Sequence, residues 1–210
     1  MKLPNGYQGL VWEVPLGSEL GFGYVRSMDI PEHYGWYLDG LNYRSQTKIK
    51  KFDFEEFTSF DELVAPILGI NFPSQRGEDR WKPLGYLPIS PERLIAPDMK
   101  ASNGISSEPE SLDWFVIRGT AGSDLLTDDN VEPIIFRYNQ VKHLGFYGHN
   151  NLKWITPRVI LEWMKVLNMD YQAYQAQNVP KEFLSNHKFF VSVSIPYTEV
   201  PLEHRNKLIT

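Results

Sequence analysis

Leu10-Val11-Trp12-Glu13-Val14, followed past Pro15 and the turn residues Gly17-Ser18 by Phe22-Gly23-Tyr24-Val25-Arg26, decides how this chain folds. Leu10, Trp12 and Val14 recur at every second position, with Glu13 pointing the other way. That is the period of a strand with one buried face. Phe22, Tyr24 and Arg26 alternate in the same manner against Gly23 and Val25. Two such runs around a short turn predict an antiparallel pair, and Pro15 is expected to end the first.

Working outward, Trp36-Tyr37-Leu38 reads as a third strand, closed by the turn dipeptide Asp39-Gly40. Ser59-Phe60-Asp61-Glu62 has the form of a capping box and predicts a short helix that Pro66 interrupts. Pro66 to Phe72 is expected as a fourth strand, and Trp81 to Leu87 as a fifth that Pro83 marks as an edge. Residues 97–111 are polar and rich in Ser, Pro and Asn, which suggests a linker or a long surface loop. Strands are expected at Trp114–Ile117 and Pro133–Tyr138. Thr156 as N-cap and Pro157 at the first position predict a helix over 157–178, with Ile160, Trp163, Leu167, Tyr171 and Tyr174 on one stripe. Phe189, Val191, Val193 and Ile195 alternate and suggest a late strand. The expected fold class is α+β: a mostly antiparallel, strongly bent sheet with a long helix from the C-terminal half packed on it. One domain is expected over 1–210, any internal boundary falling at 97–111.

With 210 residues, 42% hydrophobic and 14% aromatic, the chain can bury a core without staples. It has no cysteine, which removes disulfides, zinc–thiolate sites and thiol nucleophiles together and fits a reducing compartment. The start, Met1-Lys2-Leu3-Pro4-Asn5-Gly6, lacks an apolar leader, and no long apolar run predicts a membrane span. A cytoplasmic location is expected. The net charge is −5, spread over both halves. Lys48-Ile49-Lys50-Lys51 is the only dense basic run and meets acids from Asp53 onward, so neither nucleic acid nor membrane is expected as a partner.

Motifs of catalysis are sparse. Gly21-Phe22-Gly23 lacks the third glycine and following helix of a dinucleotide loop, and Gly119-Thr120-Ala121-Gly122-Ser123 lacks a P-loop lysine. There is no Gly-x-Ser-x-Gly elbow. His143 and His149 stand six apart, a spacing better suited to a loop than to a metal-binding face. No catalytic residue, metal or cofactor is expected. Two acidic clusters remain. Asp53, Glu55, Glu56, Asp61 and Glu62 are interleaved with Phe52, Phe54, Phe57 and Phe60; Asp61 and Glu62 suit a helix N-terminus electrostatically, and the phenylalanines read as core. Asp124, Asp128 and Asp129 surround Leu125-Leu126 without the ligand pattern of a calcium loop, and they are the first choice for partner contact, ahead of Asp53, Glu55 and Glu56.

Gly9-Leu10-Val11-Trp12-Glu13-Val14-Pro15-Leu16, then Gly21-Phe22-Gly23-Tyr24-Val25, Pro66-Ile67-Leu68 and Arg80-Trp81-Lys82-Pro83-Leu84-Gly85 carry a resemblance. Over about residues 5–95 the chain resembles the immunity protein 26 family of bacterial polymorphic-toxin loci. The resemblance implies a non-enzymatic protein that binds and neutralises a cognate toxin. A basic, nuclease-like toxin would suit an acidic inhibitor, because complementary fields speed association. Two other readings stay open. One is a phosphotriesterase-like, metal-dependent hydrolase using His143 and His149 with Asp128 or Asp129. The other is a carbohydrate- or peptide-binding module using exposed members of the set Trp12, Trp36, Trp81, Trp114, Trp154 and Trp163.

Overall fold

A computed structural model of the protein describes residues 6–30, 36–69, 80–91, 94–118, 134–148 and 152–209. Its main sheet is built from β1 (Leu10–Gly17), β2 (Gly21–Met28), β3 (Trp36–Ser45), β4 (Ile67–Gly69) and β5 (Lys82–Tyr86), in the order β4-β3-β2-β1-β5. All neighbours are antiparallel. The fold is α+β.

β1 and β2 pair as their alternation predicts, with Trp12 opposite Val25 and Val14 opposite Gly23. Pro15 does not end β1; it opposes Phe22. β5 covers β1 only over Leu10–Glu13, so at Pro15 the strand is an edge on that side and tolerates proline. Asp39-Gly40 is likewise no turn. Asp39 opposes Arg26 within β3, and their ion pair outweighs the local turn preference. Register shifts between Pro15 and Gly17, Val11 and Trp12, and Gly23 and Tyr24 are bulges that bend the strands. Gly21 has φ +73, and a Cβ there would lie 2.2 Å from the Ser45 carbonyl oxygen. Only glycine fits that corner.

The first helix, α1, is Phe54–Thr58, upstream of the position that the Ser59 box predicts. Asp53 is its N-cap, accepting from the Glu56 N–H at 3.1 Å. Ser59 stands at the opposite end, its hydroxyl donating to the Glu56 carbonyl at 2.6 Å. The helical segment expected over 157–178 is two helices, α3 (Leu152–Val166) and α4 (Tyr171–Asn178), after a short α2 (Tyr138–Val141). Asn168, at φ 54, turns left-handed after α3. Its N–H bonds the Lys165 carbonyl and the Met169 N–H bonds that of Met164, the double closure of a Schellman end. Asp170 then caps α4, accepting from Ala173.

α3 lays Ile155, Val159, Ile160, Trp163 and Met164 on Trp12, Val14, Val25, Trp36 and Leu38 of the sheet. Leu167, just past the helix end, is exposed. The opposite face of the sheet buries Val11, Tyr24 and Leu41 beneath Phe57 of α1. A second, three-stranded sheet, β7-β6-β8, joins β6 (Met99–Ser102), β7 (Trp114–Ile117) and β8 (Gly145–Phe146). The polar 97–111 stretch therefore contains a strand. Ile134 and Ile135 are exposed and Phe136 makes one bridge to Trp114, so no strand forms over the described part of 133–138; Pro133 and Ile70–Phe72 lie outside the described residues.

The alternating run at Phe189–Ile195 is not a strand but the last turn of α5 (Leu184–Ser192) and the three residues after it. Phe189 and Val193, four apart, face the cluster around Trp114, while Val191 faces that around Leu161 and Val179. A helix buried on two opposite faces produces the same alternation as a strand. Among the described residues no helix is long and apolar enough to cross a membrane.

Candidate functional site

Phe57 pins α1 to the sheet. Its ring meets Tyr24 edge-on at 5.2 Å and Tyr43 at 5.7 Å, with Phe52 and Phe60 closing the cluster. Tyr43 and Phe60 stack with centroids 4.1 Å apart. Burial, and then the nearby Glu56 carboxylate, raise the Tyr43 hydroxyl above its ordinary pKa. The same geometry leaves Phe54 outside: it is 48% exposed, and Asp53, Glu55 and Glu56 around it are exposed too. The phenylalanines of this cluster are therefore not all core. One is a ring presented to solvent among three carboxylates, on a helix that cannot easily shift. An exposed aromatic on a rigid support is the usual anchor of a protein contact.

The chain leaving α1 forms one wall of a cavity of ≈ 660 Å³. Glu62, Asp98, Arg118 and Arg205 line it beside apolar Met28 and Leu202. Beneath Glu62, Arg26 donates to Asp39 at 2.6 Å and lies 3.9 Å from the Glu62 carboxylate, all three groups buried. Asp98 accepts from Arg118 at 3.2 Å and from the Leu208 N–H at 2.8 Å. Arg205 holds Asp61 through both guanidinium nitrogens and donates to the Tyr197 carbonyl. These contacts strap the segment after Tyr197 to the stretch after α1 and to the residue before β6. Ile95 and Leu202 stand exposed at the rim. Charge is fixed here by pairing, which suits recognition by shape and hydrogen bonding.

No family model, curated protein or solved structure matches this chain. Asp124, Asp128, Asp129 and His149 lie outside the described residues. His143 is buried, its Nε2 2.7 Å from the Lys207 carbonyl oxygen, and burial lowers its pKa. Among the described residues no group of three His, Asp or Glu is placed to hold a metal ion. Trp12, Trp36, Trp81, Trp114 and Trp163 are core residues, and Trp154 is half-buried, with its ring 4.0 Å from that of Phe183.

Local pattern does not reveal the groove, because Glu62, Asp98, Arg118 and Arg205 come from four distant parts of the chain, and Glu62 reads locally as part of a capping box. Arg26 beneath it carried a signal, as a charged side chain in a strand with apolar neighbours. Phe54 was legible as part of an aromatic and acidic cluster, though its exposure was not.

Proposed function

We propose that this chain is a non-enzymatic immunity protein that acts in the cytoplasm by binding and neutralising a cognate protein toxin. The observation that carries the reading is Phe54, half-exposed among Asp53, Glu55 and Glu56 on a helix anchored by Phe57. The resemblance to the immunity protein 26 family supports it, since residues 5–95 contain the main sheet and α1. A basic toxin is the partner that three exposed carboxylates favour, through faster encounter and rejection of acidic competitors.

Co-expression with the toxin domain encoded beside its gene tests the proposal by growth rescue. Wild-type protein should protect. Phe54→Ala combined with Glu55→Lys and Glu56→Lys should lose protection while the melting temperature falls by only a few degrees. Failure of the wild-type chain to protect or to bind that domain rejects the function. Full protection by the triple variant removes α1 from the interface and points to Asp124, Asp128 and Asp129, which Asp128→Lys with Asp129→Lys addresses in parallel.

A further inference from the structure

Three cationic side chains converge on the C-terminal end of α5. Lys100 on β6 is 1% exposed, and its Nζ donates to the carbonyls of Lys142 at 2.6 Å and Val193 at 2.7 Å. Arg158 on α3 donates to the Phe190 carbonyl at 3.1 Å and, through Nε, to Glu162 at 2.6 Å. Lys165, two turns beyond Arg158, reaches the Val191 and Ser194 carbonyls at 2.6 and 2.5 Å. The Ser194 hydroxyl donates to the other Glu162 oxygen at 2.6 Å. Against the three side chains stand the Glu162 carboxylate, Glu199 acting on Lys165, and a helix end worth roughly half a negative charge, so with all three cations protonated the cluster carries an excess of about half a positive charge. Lys100, Arg158 and Glu162 are all more than nine-tenths buried, where water screens little of that excess.

Next to this cluster lies a cavity of ≈ 20 Å³, lined by Lys100, Arg158, His143, Gly145, Phe190 and Ser194. It has room for one water-sized sphere. Two hydrogens of the Lys100 ammonium go to carbonyls, with the Trp114 and Tyr138 rings flanking at 5.9 and 5.5 Å; an anion in the cavity would hold the lysine protonated and take its third N–H. Burial, and then the Arg158 charge, pull Lys100 well below the ordinary lysine pKa, so an anion beside it would relieve a real cost.

We propose that this cavity binds a small monovalent anion of halide size between Lys100 and Arg158. Chloride is the natural member of that class. The anion offsets the excess charge and ties β6 to α3 and α5, independently of any partner on α1.

The test replaces chloride with bromide. Crystals of the full chain grown in bromide should show an anomalous peak in the cavity beside the Lys100 Nζ. In chloride-free buffer, low-millimolar sodium bromide should raise the melting temperature saturably above that in sodium gluconate of equal ionic strength. Lys100→Met should abolish the difference. If that variant does not fold, the wild-type comparison decides alone. No peak in the cavity, or a peak without saturable stabilisation, meaning an adventitious ion only, overturns the proposal.

Discussion

The indole N–H of Trp81 donates to the hydroxyl of Thr156 at 2.9 Å, joining the residue before β5 to the interior of α3 across the main core. Thr156 is therefore a cross-link between sheet and helix, where its sequence context suggests an N-cap. Thr156→Val keeps the shape but leaves the Trp81 N–H without its acceptor at a site only 3% exposed. The cost should be ~1–3 kcal/mol by urea denaturation. A loss of only a few tenths would mean that the bond contributes nothing net.

Asp53 and Ser59 sit at opposite ends of α1, and only Asp53 accepts from the helix N-terminus. Asp53→Ala should cost ~1 kcal/mol, whereas Ser59→Ala, which removes one exposed hydroxyl, should cost a few tenths. Denaturation midpoints in the reverse order would restore the capping box at Ser59.

Arg26 is one guanidinium among two buried carboxylates, Asp39 and Glu62. Removing the cation leaves two like charges in a low-dielectric site, while Asp39→Asn leaves Arg26 with Glu62. Arg26→Met should therefore be the costlier change, by ~3–5 kcal/mol in all. Equal losses from the two variants would show that Glu62 is not part of the network.

His187 on α5 is buried beside Trp154, and burial, followed by the Arg158 charge, lowers its pKa to about 4. The unfolded histidine titrates near 6.5, so between these values the unfolded chain binds a proton that the folded one refuses. Stability is full above the unfolded pKa and falls as pH drops toward 4, by up to about 3 kcal/mol. His187→Leu should remove that component. Relative to wild type, the variant should gain stability steadily as pH is lowered from 6.5 to 4, and stay level from 7 to 8. A constant difference across the acid window would mean that His187 takes up its proton in the folded state.

How far the sequence reaches is set by how local each signal is. The β1–β2 pair and the edge position of Pro83 follow from period-two alternation and a missing donor, both of which act within a few residues. Trp163 and Ile160 follow from one apolar stripe. Errors arise where a distant group overrules local preference: Arg26 keeps Asp39 inside β3, and Trp81 engages Thr156. At α5, burial on two faces mimics a strand, and periodicity alone cannot separate the two. The exposure of Phe54 depends on Phe57 finding Tyr24 and Tyr43 first, a tertiary fact with no local trace.

Phe54 and its neighbouring carboxylates should act on different rate constants. On the proposed function the ring is a short-range anchor, so Phe54→Ala should raise the dissociation rate from the proposed toxin roughly 10- to 100-fold, equivalent to about 1.4–2.8 kcal/mol, and barely change association. Glu55 and Glu56 act at a distance through their field. Glu55→Lys with Glu56→Lys should slow association and flatten its dependence on salt, leaving dissociation nearly as before. Asp53 stays untouched because it caps the helix, and the reversal costs α1 only ~0.3–1 kcal/mol per charge at its N-terminus. Surface-bound kinetics across a salt series separate the two effects. A ring variant that alters only association, or a charge reversal with an unchanged salt slope, would place the toxin elsewhere on the molecule.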